Sequence, residues 1–204
     1  MQQRKDFHKY DVLEHSFRSV LYAEKSIRLA ALLHDVGKPF CMHRDGNTYA
    51  HAEEGARLAD EILRRLKAPK KESEKIVKLI SLHMYDLDCK AKENKLRRFF
   101  VKHYPLLPEL IKLKQADFSA CMDDMRVAPT CQKWNALLNV LREENAPLTV
   151  KQLAVKGDDL LLLDLPKHRI STLLNALLEH AVLVPKDNEK ARLCAIALRL
   201  NESF

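Results

Sequence analysis

Two adjacent residues, His34 and Asp35, are the best placed in this sequence to do chemistry. They end the apolar run Leu29-Ala30-Ala31-Leu32-Leu33 and are followed by Gly37, Lys38 and Pro39. A segment apolar all round is buried, so both side chains are carried inward, where an unpaired carboxylate is costly. One reading is a pair of neighbouring metal ligands with a phosphate-binding Lys beside them, which makes Asp35 and Lys38 the catalytic candidates. The plain alternative is a helix C-terminus, with His34 and Lys38 facing the dipole, Asp35 opening a turn and Pro39 stopping the helix.

Four more residues are of ligating type: His51, His83 and Asp117 stand at helix ends or on a helical stripe, and His15 lies within a helix. Imidazole and carboxylate together suit a first-row divalent ion or Mg rather than Ca, which takes all-oxygen shells. A first ion would use His15, His34, Asp35 and Asp117. His51 and His83 would then serve a second ion or the substrate phosphate. One or two ions among Mg, Mn, Ni, Co, Fe or Zn fit such a set, and they activate water for phosphate-ester hydrolysis. For each residue a bland use exists: His51 and His83 suit helix termini, and Asp117 suits a salt bridge.

The elements that must position these residues read as helices throughout. The expected helices are Val12 to Ser26, Ile27 to His34, His51 to Lys67, Glu72 to His83, Glu93 to His103, Leu107 to Asp124 and Cys131 to Glu144. Shorter ones are expected at Leu148 to Val155, Asp158 to Leu163, Ile170 to Val182 and Asn188 to Leu200. In the first, Leu13, Phe17, Val20 and Leu21 form the apolar stripe, and His15 lies off it. In the third, the stripe is Leu58, Ile62, Leu63 and Leu66. Cys41 to Ala50 reads as a polar loop with a turn at Asp45-Gly46-Asn47. No alternating strand pattern appears, so the class is all-α. The bundle is expected over residues 1–127 and a smaller helical region over 128–204, with Asn145-Ala146-Pro147 the sharpest break.

At 204 residues with 47% hydrophobic and 31% charged residues, the chain is long enough for a sizeable core. No apolar run approaches a membrane span, and Met1-Gln2-Gln3-Arg4-Lys5-Asp6 has no apolar stretch behind it as a secretory signal would. Five scattered cysteines without a CxxC pair read as reduced thiols in a cytoplasmic protein. The net charge is +7, and between Arg64 and Lys114 fifteen Lys and Arg stand against six Asp and Glu. Lys92, Lys95, Arg97 and Arg98 are therefore candidate RNA contacts, against the alternative of a solvated face. GxSxG, P-loop and GxGxxG signatures are absent.

The order His15, His34-Asp35, His51, His83, Asp117 resembles the HD superfamily of metal-dependent phosphohydrolases. Tyr10-Asp11-Val12-Leu13-Glu14-His15, His34-Asp35-Val36-Gly37-Lys38-Pro39, His51-Ala52-Glu53-Glu54-Gly55-Ala56 and Leu113-Lys114-Gln115-Ala116-Asp117 resemble one branch closely. That branch is the HD-containing part of bacterial CCA-adding tRNA nucleotidyltransferases and poly(A) polymerase-like proteins. Short phrases such as Leu153-Ala154-Val155-Lys156-Gly157-Asp158-Asp159-Leu160 extend the likeness into the tail. The family's nucleotide-binding head, with its Gly-rich loop and paired strand carboxylates, has no counterpart here. The resemblance thus implies an excised or free-standing HD bundle with an RNA-contacting tail, unable to add nucleotides alone. It implies phosphatase or 2′,3′-cyclic or nucleotide phosphodiesterase chemistry on nucleotide or RNA phosphate esters. The competing expectation is a tRNA-binding portion with a structural or vestigial HD site. tRNA and a second copy of the chain, as a homodimer, are further candidate partners.

Overall fold

The computed structural model describes residues 1–2 and 9–202; most of the charged N-terminal stretch, residues 3–8, lies outside them. The described residues are helical, with no strand. Their contacts group residues 1–90 and 106–134 into one unit and 91–105 and 135–204 into another. The grouping is not a single cut at 127/128, because the segment 91–105 packs on a helix of the tail.

The first unit opens on α1 (Val12–Tyr22), capped by Asp11, whose carboxylate accepts from the Leu13 and Glu14 amides. The buried face of α1 is not the apolar stripe. Leu13, Phe17 and Leu21 are 62%, 52% and 77% exposed, whereas Val12, His15, Ser16 and Ser19 are buried. The reason is steric. Ser16 and Ser19 are small and return their hydroxyls to the Val12 and His15 carbonyls, so α1 packs closely on its neighbours through that face.

Those neighbours are α2 (Arg28–Leu33) and α7 (Leu107–Met122). α2 is only partly buried, contrary to its all-apolar reading: Ala30, Ala31 and Leu33 are enclosed, Leu29 is half-covered and Leu32 is exposed. The first half of the expected polar loop, Cys41 to Asp45, instead belongs to helix α3 (Gly37–Asp45), while Gly46 to Ala50 is non-helical as expected. Pro39 does not stop this helix, because it sits in the first turn, where its missing N–H leaves no bond unmade. Gly46 ends α3 in the left-handed region at φ 68°.

Helices α4 (His51–Arg65) and α5 (Lys70–Leu82) form a hairpin. The buried face of α4 is Gly55, Ala56, Ala59 and Leu63; Leu58 and Ile62 are only partly covered and Leu66 is 66% exposed. Small residues win this face because α3 crosses it almost backbone to backbone. α5 buries Ile76, Leu79 and Ile80 as its spacing predicts. Helix α8 (Pro129–Glu143) begins in this unit. Its Trp134 is fully buried and donates Nε1–H to the Asp86 carboxylate at 3.0 Å, which also pairs with Lys133 Nζ at 3.1 Å. Asp86→Ala is expected to cost about 3 kcal/mol, by stripping a buried indole and an ammonium of their shared acceptor. Asp86→Asn, which keeps an acceptor for Trp134, should cost less than half of that; urea denaturation of both variants reads the difference.

In the second unit α6 (Glu93–His103) lies on α10 (Ile170–Leu183), with α9 (Gly157–Leu161) and α11 (Lys190–Glu202) completing the packing. Its core is Leu160, Leu173, Leu177, Ala181, Leu193 and Ala197 with their neighbours. The expected helix over Leu148 to Val155 is reduced to one 3-10 turn at Val150–Gln152. Gln152 Oε1 accepts from the Leu148 and Thr149 amides and caps the turn, which ends where Leu153 turns to extended backbone. Arg97 is not a surface residue: it is 5% exposed, pairs with Glu93 and Glu144, and donates to the Val182 carbonyl. The arginine is used inside the unit and presents no fork to RNA. Lys92, Lys95 and Arg98 are exposed. No helix among the described residues is long and apolar enough to cross a membrane.

Candidate metal centre

The six residues of ligating type come from the ends and inner faces of five segments of the first unit. His15 projects from α1, and His34 and Asp35 stand where α2 gives way to α3. His51 opens α4, His83 caps α5, and Asp117 lies on α7. His15, His34, Asp35 and His83 are no more than 1% exposed and His51 is 3%.

Two sets of donor atoms meet at Asp35. On the Oδ2 side, His15 Nε2 lies 3.6 Å and His34 Nε2 3.4 Å away. Asp117 Oδ1 completes this set at 3.0 Å from His15 Nε2 and 3.4 Å from His34 Nε2, and the two Nε2 atoms are 3.3 Å apart. On the Oδ1 side, His51 Nε2 lies at 3.3 Å and His83 Nε2 at 3.9 Å, with 3.3 Å between those nitrogens. A donor–metal bond of ~2.1 Å requires neighbouring donors to be about 3.0–3.4 Å apart in octahedral or tetrahedral shells. Six of the eight spacings fall in that range, and the two longer ones, His15 to Asp35 Oδ2 at 3.6 Å and His83 to Asp35 Oδ1 at 3.9 Å, would shorten as an ion draws its donors in.

The imidazoles are also oriented for the task. His34, His51 and His83 each place Nδ1 at 2.6–2.7 Å from the carbonyl three residues earlier, Ala31, Thr48 and Ile80. With Nδ1 donating its proton to that carbonyl, Nε2 keeps its lone pair for an ion. In each case the His stands at a helix boundary, where the ring can turn back to the carbonyl three residues earlier. The chemistry, spacing and orientation of the donors therefore fit a divalent ion on each side of Asp35.

Lys38 Nζ is 2.7 Å from Asp35 Oδ2. The side chains of Lys38 and Asp117 are 12% and 14% exposed, so the centre opens on their side and is sealed elsewhere. Lys114, which the sequence reading passed over, is 3% exposed and donates Nζ to the His83 carbonyl at 2.6 Å. Burial pulls its ammonium down to about 8. The signal for it was present: a Lys three residues before Asp117 on a buried stripe. Cys121, one turn after Asp117, was also passed over; its ligand atom lies within 4.8 Å of those of His15 and Asp117.

Electrostatics in the centre are set by its carboxylates. Burial opposes ionisation of Asp35, but His34, His51 and Lys38 outweigh it and hold the carboxyl well below the usual range. Asp117 is held down in the same way, against burial, by His15 and His34. Burial disfavours the His34 imidazolium, yet Asp35 and Asp117 push it up to about 9. His83, buried and facing His34, is pushed down to about 3. At pH 7 the metal-free centre thus holds a proton on His34 that an ion must displace. Metal binding is expected to release about one proton at pH 7, with affinity rising up to about pH 9 and flattening above. Calorimetry in buffers of different ionisation enthalpy measures the release; a buffer-independent enthalpy would contradict it.

Comparison with known proteins adds three findings. The family described as HD domain matches residues 12–118, a span that contains His15, His34, Asp35, His51, His83 and Asp117. An A-adding tRNA nucleotidyltransferase of Deinococcus radiodurans is 36% identical over 126 residues, covering 56% of this chain and 29% of that protein. A CC-adding tRNA nucleotidyltransferase of Thermus thermophilus is 37% identical over 122 residues, covering 54% of this chain and 28% of that protein. The matched stretch is thus under a third of the length of either relative. No solved structure matches significantly.

Proposed function

The chain belongs to the HD-domain family, and from that premise we propose that it is a metal-dependent phosphohydrolase acting on nucleotide or RNA phosphate esters. The observation that carries this reading is the shared Asp35 carboxylate, with two imidazoles on each of its oxygens. His15, His34, Asp35 Oδ2 and Asp117 would hold one divalent ion, and His51, His83 and Asp35 Oδ1 a second. Ions held there supply Lewis acidity toward a phosphoryl oxygen and a strong nucleophile at neutral pH.

The remaining roles fall to the protein. Lys38, at the open side of the centre, offers an ammonium to a phosphate oxygen and offsets charge that builds there during hydrolysis. The Ala31, Thr48 and Ile80 carbonyls keep three imidazoles aimed inward, so no reorientation is needed on binding. The sealed flank of helices keeps bulk water from all but the Lys38 and Asp117 side. Lys38→Ala is expected to lower kcat for phosphate esters more than it raises KM, in steady-state kinetics with metal in excess.

The reading is tested by hydrolysis of a chromogenic bis-phosphate ester with Mn, Ni, Co or Mg supplied in turn. Turnover that needs the metal and is lost in the His34→Ala/Asp35→Ala double variant supports it. No turnover with any metal, or full turnover in the double variant, overturns it.

A second reading has its own observation, the 36–37% identity to tRNA nucleotidyltransferases. In it the chain is a tRNA-contacting portion, with Lys92, Lys95 and Arg98 among its exposed cations. It requires tRNA binding that weakens steeply with salt, since each neutralised phosphate releases counterion. Binding that is absent or independent of salt removes it.

A further inference from the structure

Cys121 stands on α7 four residues after Asp117, so the two side chains share a face one turn apart. Its ligand atom, one from His15 and one from Asp117 all lie within 4.8 Å of one another. His15 is completely buried, while Cys121 is partly accessible. A half-buried cysteine on a helix stripe is most often simple packing, a small hydrophobe in a gap. This one differs because its neighbours are an imidazole and a carboxylate. Among the described residues the other four cysteines belong to no such group of donors.

Resting on the metal reading above, we propose that Cys121 is a further ligand of the His15–Asp117 side of the centre and biases it toward thiophilic ions such as Zn or Cd. Burial, helped by the negative charge of Asp117, pushes the free thiol up above its ordinary range. The metal-free residue is therefore a neutral thiol and a poor nucleophile. Ligation breaks the S–H bond, sends the proton to solvent and forms a sulfur–metal bond, with no change of oxidation state. Thiolate is a soft donor, so its contribution is large for Zn or Cd and small for Mn or Mg, which prefer oxygen.

Cobalt substitution of the full chain tests this without relying on turnover. Co-loaded protein is expected to show visible d–d bands and a near-ultraviolet sulfur-to-cobalt charge-transfer band. Cys121→Ser and Cys121→Ala should keep the d–d bands and lose the charge-transfer band. In competition titrations Cys121→Ser should weaken Zn or Cd binding by at least about tenfold and Mn binding by less than about threefold. Wild-type protein with d–d bands but no charge-transfer band overturns the proposal and leaves the metal reading standing. So does a charge-transfer band that survives in both variants. Failure to bind Co, Zn and Mn at all overturns both.

Discussion

Asp35→Ala is expected to reduce metal-dependent hydrolysis by at least about a thousandfold. The size of the effect follows from geometry rather than from loss of one ligand among several. Among the described residues, Asp35 is the one whose two oxygens face separate donor pairs, His15 with His34 and His51 with His83. Removing it strips both sides at once and leaves Lys38 without its carboxylate partner. The same change removes the charge that raises His34, so its pKa should fall toward the value that burial alone dictates. Asp35→Asn separates shape from charge. It fills the space and is expected to keep the fold, yet it lowers metal stoichiometry and activity almost as far. Metal content after dialysis, initial rates and thermal melting of both variants measure this. Activity within tenfold of wild type in Asp35→Ala would show that the chemistry lies elsewhere.

The second large effect is steric. A Cβ on Gly37 would stand 2.3 Å from the His51 carbonyl oxygen and 2.6 Å from the Gly55 amide nitrogen. Both atoms are backbone in α4, so relief requires shifting a helix rather than rotating a side chain. Gly37→Ala is expected to cost about 3 kcal/mol and to lower Tm by about 6–12 °C. The displacement begins at His51, which opens α4 and lies 3.3 Å from Asp35 Oδ1. Affinity on the His51–His83 side should therefore fall before that on the His15–His34 side. Gly55→Ala is the internal control. Its Cβ would meet nothing nearer than 3.3 Å, so a milder loss is expected. Melting curves and metal titrations of the two variants test the order; equal stability of Gly37→Ala and wild type would refute it.

Much of the centre was legible before any coordinates. Residue type identified His15, His34, Asp35, His51, His83 and Asp117, because a buried carboxylate beside imidazoles has few uses and an Asp on an apolar stripe asks for a partner. The helix boundaries of α5, α6 and α7 followed from periodicity and proline. What was not legible was which face of α1 is inside. Periodicity marks apolar residues, and in α1 those are the exposed ones. Close packing selected Ser16 and Ser19 instead, and His15 went inward with them. Arg97 misled for a similar reason. A cation in a basic stretch reads as surface, and only the partners Glu144 and Val182, far away in sequence, turn it inward.

The amino-acid order alone determined that this is a helical protein and supplied the donors, all but His15 at a helix end or on an apolar stripe. Those are local properties, written in hydrophobic spacing and in the chemistry of single side chains. Tertiary structure decided how the donors are shared: Asp35 facing two sets at once, Lys38 at the open side and Cys121 beside His15 and Asp117. It also made a helix of Gly37–Asp45 and laid it against Gly55. These outcomes depend on how closely backbones approach, and that distance is set by pairs of small residues that meet only when the chain is folded.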